Sequence, residues 1–98
     1  MRYELVLAPQ AVVDLKELRA YDRARIRDAF ERYLRYEPTR VSKSRIKKLR
    51  GISRPQYRLR VGELRVYYDV TKNAVEILAI ISKERAQAWL EEEGTRNS

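Results

Sequence analysis

The stretch Tyr57-Arg58-Leu59-Arg60-Val61-Gly62-Glu63-Leu64-Arg65-Val66-Tyr67-Tyr68 decides how this chain folds. On both sides of Gly62-Glu63, apolar residues alternate with cationic or aromatic ones at period two, the spacing of strands with one buried face. A glycine followed by a second turn residue matches a two-residue type II′ hairpin, whose first position needs a positive φ. That turn sets the register: Val61 opposite Leu64, Arg60 opposite Arg65, Leu59 opposite Val66, and Arg58 opposite Tyr67. One face then carries Leu59, Val61, Leu64, Val66 and Tyr68, and the other turns Arg58, Arg60, Arg65 and Tyr67 outward. Like charges directly opposite on a sheet destabilise it by a few tenths of a kcal/mol or more, on the order of the other cross-strand effects, so Arg60 facing Arg65 requires an explanation. Two are open. The arginines form a solvated face whose long stems cover apolar surface, or they form an anion site. In the second case guanidinium forks meet phosphate oxygens in pairs and Tyr67 offers a surface for base stacking.

Outward from the hairpin, Tyr3, Leu5 and Leu7 alternate in a first strand over residues 1–7. Pro9 opens a helix containing Ala11, Val12, Leu15 and Leu18, and Asp22 is placed to cap a second one carrying Ile26, Ala29, Phe30, Tyr33 and Leu34. The two are expected to make a helical hairpin over residues 9–37, joined near Ala20-Tyr21, stopped by Pro38, and laid on a sheet. Downstream, Thr71-Lys72-Asn73 forms another turn and Val75 to Ile81 a buried strand. Ser82 begins a short helix over residues 83–93, where Ala86, Trp89 and Leu90 share a packing face, and Gly94 ends it before a polar tail. The expected fold class is α+β: a single two-layer domain over residues 1–98, with an N-terminal strand, a helical hairpin, a three-stranded antiparallel meander over residues 56–82, and a C-terminal helix.

The net charge is +8, with a pI of about 10.0. Nine basic residues and no acidic one lie between Arg40 and Gly62, while the remaining residues carry 13 basic and 14 acidic groups, so the excess is local. Over residues 38–55 apolar periodicity is lost and the segment reads as a basic connector. Its Lys43, Arg45, Lys47, Lys48, Arg50 and Arg54, together with Tyr67, are candidate RNA contacts, and a solvated loop against an acidic protein is an equal alternative. The chain has no cysteine and no histidine, which removes disulfides, thiolate nucleophiles and the zinc or haem sites that depend on those ligands; no metal site is expected. No apolar signal core opens the sequence, and the longest apolar run, Ile77 to Ile81, is far below the ~20 residues that span a bilayer. A cytoplasmic protein with no membrane partner is expected.

Such a composition still permits RNA cleavage. A ribose 2′-hydroxyl attacks its neighbouring phosphate without a protein nucleophile or metal, provided the developing oxyanion is stabilised and protons are moved. Arginines suit the first task; Tyr67, Asp69, Lys83, Glu84 and Arg85 are candidates for the second, each with an ordinary surface role as the alternative.

The segments Lys48-Leu49-Arg50-Gly51, Tyr57-Arg58-Leu59-Arg60-Val61-Gly62 and Leu64-Arg65-Val66-Tyr67-Tyr68 resemble the central signature of the RelE/ParE superfamily of bacterial and archaeal toxins, and the element order is similar over nearly the whole chain. The resemblance implies a RelE-like fold, a type II toxin-antitoxin pair and a cognate acidic antitoxin that wraps the toxin. In the RelE branch it further implies an mRNA interferase, an endoribonuclease that cleaves mRNA in the ribosomal A site, with mRNA and ribosomal RNA as partners, no metal and no small-molecule cofactor. Arg58, Arg60 and Arg65 match the two basic residues on the first hairpin strand and the arginine on the second that act on the scissile phosphate. Lys83-Glu84-Arg85 offers the basic position after the last strand, while Trp89 and Leu90 stand where relatives often place a tyrosine or histidine, so the general acid stays open. Two other functions remain: a ParE-like inhibitor of DNA gyrase with the same fold, and a non-catalytic RNA-binding module.

Overall fold

The computed structural model describes residues 1–96. Its hairpin has the expected register, from Val61 opposite Leu64 to Arg58 opposite Tyr67. Gly62 has φ +56 and Glu63 is not in the positive-φ region, the signature of the type II′ turn.

In chain order the elements are β1 (Glu4–Leu7), α1 (Pro9–Glu17), α2 (Ala20–Ala29) with a wider π-type turn over Phe30–Leu34, β2 (Ile46–Lys48), β3 (Ile52–Arg54), β4 (Tyr57–Val61), β5 (Leu64–Val70), β6 (Ala74–Ser82), α3 (Lys83–Glu93) and β7 (Thr95–Arg96). The architecture is α+β, as expected. The main sheet runs β1-β6-β5-β4-β2, antiparallel except that β1 lies parallel to β6.

Three local expectations are corrected. The segment over residues 38–55 is not only a connector: β2 extends the meander at its edge, and β3 pairs with β7 in a separate two-stranded ribbon. Strands of three residues are too short to show periodicity; in β2 the one signal is Ile46, buried while Lys47 and Lys48 are exposed. The residues after Gly94 are likewise not merely a polar tail, since Thr95–Arg96 form β7; Asn97 and Ser98 lie outside the described residues. Finally, Asp22 does not cap α2. The helix begins earlier, Arg19 holds the extended cap conformation, and Asp22 sits in the first turn accepting from Arg19 at 3.4 Å, where the helix dipole favours a carboxylate.

The main core lies between the helical hairpin and one sheet face, where Ala11, Ile26, Phe30 and Leu34 meet Leu59, Val66, Tyr68 and Ile77. A smaller cluster lies on the opposite face, where Ala86 of α3, with Trp89 and Leu90, covers Tyr67, Ala79 and Ile81. The C-terminal helix is therefore laid on the arginine face of the hairpin. Among the described residues no helix is long and apolar enough to cross a membrane.

Tyr68 anchors the core. Its ring is fully buried and stacked on Tyr57 with centroids 5.5 Å apart, and its hydroxyl donates to the Pro38 carbonyl at 2.7 Å, tying the end of the helical hairpin to the sheet. Tyr68→Phe leaves that buried carbonyl without its partner and is predicted to cost about 1–3 kcal/mol, read as a lower denaturation midpoint at unchanged slope. An unaltered midpoint would show that the bond contributes nothing. Burial also pushes the Tyr67 and Tyr68 phenols above the ordinary tyrosine value of 10.0. The folded chain then binds more protons than the unfolded chain once pH exceeds about 10, so stability falls as pH rises through that point. In an alkaline titration followed by tyrosinate absorbance, these two phenols should ionise only together with loss of the far-ultraviolet circular dichroism signal. Complete titration of all seven tyrosines in a folded protein would contradict this.

Candidate functional site

Strand register sets Lys47, Arg58, Tyr67 and Ala79 in one row across the sheet and Arg60, Arg65 and Ile81 in another. Because side chains alternate across a strand, both rows belong to the face that α3 partly roofs. This changes the character expected for that face. Tyr67 is only 2% exposed and its ring stacks on Trp89, centroids 5.0 Å apart, so it is not an open platform for a base. Trp89 reaches Tyr67 from α3, a contact between the helix and the sheet face beneath it.

Two of the three arginines, Arg58 and Arg65, are not a solvated fringe either. Arg65 is 8% exposed and its Nη1 donates to the carbonyls of Gly62 at 2.9 Å and Leu64 at 3.0 Å, bracing the turn. Arg58 is half-buried, and its Nε is fully buried without a hydrogen-bond partner. Burial, reinforced by the charges of Arg65 and Arg60, holds the Arg58 guanidinium below its usual range, against a smaller opposing effect of Tyr67. The guanidinium stays charged near neutrality all the same. Burial likewise raises the Tyr67 phenol, although Arg58 and Arg65 favour its ionised form. Among the described residues no ion pair reaches Arg58 or Arg65. Arg60 is exposed; it acts on Arg58 through its charge and does not line the groove described next.

Beneath α3, Lys47, Arg50, Arg58, Arg65, Lys83 and Arg96 line a groove of about 530 Å³ in which Glu91 is the one side-chain carboxylate among the described residues. The basic residues expected to work together divide around it. Lys47 and Arg50 of the connector line the groove, whereas Lys43 does not. Arg45 lies over the Tyr33 ring at 4.8 Å and donates to the Arg60 carbonyl, and Lys48 lies over the Tyr57 ring at 5.0 Å. Arg54 is paired with Asp69 at 3.5 Å and Glu76 at 2.9 Å, and lines a different groove, between α1 and α3. Asp69, considered as a proton carrier, belongs to that same network. Burial raises its carboxyl, opposed by the hydrogen bond from the Gln56 backbone and by Arg54.

Lys83-Glu84-Arg85 also separates. Lys83 lines the arginine groove, Arg85 lines the one beside α1, and Glu84 lines neither. The cause is helical geometry, which turns successive side chains by about 100°. Arg96, Glu91 and Gln87 line the groove without having been singled out from the sequence. Arg96 lies on a two-residue strand with no readable pattern; Gln87 and Glu91 were visible only as neighbours four apart on a helix, joined by a 3.3 Å hydrogen bond.

Chemically, the groove offers several fixed donors with positive charge and little counter-charge, partly shielded from water. An anion with several oxygens, above all a phosphodiester, is the ligand such donors fit.

Comparison with known proteins agrees with this fold. A family described as the ParE toxin of the type II toxin-antitoxin system parDE matches residues 5–87. The fold is similar to a chain in the archaeal RelE-RelB complex of Pyrococcus horikoshii OT3, with TM-score 0.69 and 31% identity over 87% of this chain and 99% of that one. It is also similar to a chain in the RelBE2 toxin-antitoxin complex of Mycobacterium tuberculosis, with TM-score 0.62 and 26% identity over 84% of this chain and 99% of that one. A third, at 24% identity, is in the RelB-RelE complex of Methanococcus jannaschii, with TM-score 0.66 over 86% and 96% of the two chains. No curated protein matches the chain. With most of its length matched by that family and its fold shared with these complexes, the chain belongs to the RelE/ParE superfamily as a toxin of a type II toxin-antitoxin system.

Proposed function

We propose that this toxin is a RelE-like, ribosome-dependent endoribonuclease that cuts mRNA in the A site, and that a cognate acidic antitoxin restrains it by covering its basic surface. The observation that carries the reading is the groove itself: Arg58 and Arg65 line it under α3 with Lys83 and, among the described residues, have no ion-pair partner and leave the buried Arg58 Nε without an acceptor. A phosphate would supply the acceptor and the countercharge together.

In the reaction, the ribose 2′-oxygen forms a bond to phosphorus as its proton leaves, and the bond from phosphorus to the 5′-oxygen breaks as that oxygen gains a proton. Charge builds on the non-bridging oxygens. Donors already fixed in position stabilise that charge without reorganising, which is where most of the catalytic effect would arise. In this scheme Arg58 and Arg65 take this role, Arg60 adds positive field from the rim, and Lys83, the member of its triplet that lines the groove, would act on the leaving oxygen. Lys47 and Arg50 would hold flanking RNA, and the more distant Lys43, Arg45 and Lys48 would rest on ribosomal RNA. Glu84, Arg85, Arg54 and Tyr67 have no direct part in this scheme.

A second reading, poisoning of DNA gyrase, is favoured by the description of the matching family. Against it stands the first helix, only nine residues long; the gyrase-directed branch is expected to have longer and bulkier first helices.

Arg58 is the cleanest probe, because Arg65 also braces the turn. Arg58→Gln is predicted to lower ribosome-dependent mRNA cleavage by about 10²–10³-fold, the usual loss for one oxyanion donor, and to relieve growth inhibition with the circular dichroism spectrum unchanged. Brief induction of the unmodified toxin should halt translation before DNA supercoiling changes. Early loss of supercoiling with intact mRNA would move the protein to the gyrase-directed branch, and binding without cutting would make it an RNA-binding module.

A further inference from the structure

The family match ends at residue 87, yet residues beyond it complete the groove. At the end of α3 the Gly94 N–H donates to the Leu90 carbonyl at 2.9 Å. A Cβ built on Gly94 would lie 2.5 Å from that carbonyl oxygen, so the turn as formed requires glycine through close approach. The turn delivers β7 to β3: Ile52 stands opposite Arg96, and the Ser53 hydroxyl donates to the Thr95 carbonyl at 3.1 Å. Arg96 is thus held from two sides, by its short link to α3 and by its strand partner, and it lines the same groove as Arg58 and Lys47.

The number of cations bears on what the groove accepts. One phosphodiester has two non-bridging oxygens, which the forks of Arg58 and Arg65 can satisfy. Lys47, Arg50 and Arg96 are additional, and a strand of RNA brings additional phosphates at every nucleotide. We propose that Arg96 is a contact for the RNA backbone next to the scissile phosphate, and that the β3–β7 pairing, released through the Gly94 turn, positions it there. This rests on the RNA-directed reading given above. The mundane alternative is a solvated arginine on a terminal strand, which would contribute no affinity.

The test is binding of a short single-stranded RNA whose 2′-hydroxyls are replaced by methoxy groups, which cannot be cut, measured over a series of salt concentrations. For single strands each neutralised phosphate contributes about 0.7 to the slope of log K against log salt. Arg96→Ala should bind several-fold more weakly at low salt with a slope shallower by about 0.7, and Arg96→Lys should keep the slope of the unmodified protein. Gly94→Ala should reproduce Arg96→Ala, because the arginine is present but no longer placed. Circular dichroism melting checks that each variant is folded. If Arg96→Ala keeps the full slope while Arg58→Ala loses part of it, Arg96 is not on the backbone track, although the RNA-directed reading survives. If Gly94→Ala behaves as unmodified while Arg96→Ala weakens, the positioning role fails. Absent or salt-independent binding by the unmodified protein overturns the RNA-directed reading and this inference with it.

Discussion

The guanidinium groups of Arg58 and Arg65, diagonal to each other on adjacent strands of one sheet face, with a helix over them and no ion-pair partner among the described residues, form the constraint on which the rest of this molecule turns. Sheets ordinarily avoid like charges in apposition. Here the Gly62 turn, whose geometry leaves one register available, sets Arg65 opposite Arg60 and diagonal to Arg58, and the repulsion is deepened by burial of Arg65 and of the Arg58 Nε. The cost is borne by the stable contacts around the pair: the Tyr67–Trp89 stack, the turn carbonyls that accept from Arg65, and the main core on the opposite face. On the proposed reading, an anion bound in the groove would offset that cost.

The two faces of the sheet divide the labour. One packs against the helical hairpin and supplies most of the buried apolar surface, with Tyr68 reaching across to Pro38. The other is thinly covered by a single helix, so cationic side chains can lie beside aromatic ones without being sealed from solvent. The second groove, between α1 and α3, differs in kind: its Arg54 is neutralised by Asp69 and Glu76, and its rim includes Asp14, Glu17, Glu92 and Glu93. Local pairing, rather than total charge, separates the basic residues left without a carboxylate among the described residues from those already satisfied.

The hairpin was fully legible in the sequence because alternation and a glycine turn specify register together, and four residue pairs followed from them. The helical hairpin was legible in outline; the start of its second helix was missed because Asp22 looked like a cap while the backbone of Arg19 takes that conformation. What the sequence could not reveal was how α3 lies. Its apolar residues signalled that it packs on something, but nothing in a single chain of letters says which face of the sheet it covers. Hence Tyr67 was read as open and is instead beneath Trp89, and Lys83, Glu84 and Arg85 were grouped although the helix turns them apart. The short strands β2, β3 and β7 fall below the length at which a period can be recognised, which is why Arg96 went unnoticed and the connector was read as structureless.

The most direct measurement of the central claim is nuclear magnetic resonance of the arginine side-chain Nε–H groups during titration with a nucleoside monophosphate. The Arg58 Nε–H, buried without an acceptor among the described residues, should shift and become protected from exchange along the same saturation curve as Arg65, before the exposed Arg40 responds. If Arg58 and Arg65 stay unmoved while only exposed arginines shift, the groove is not an anion site and the charge held there has another cause.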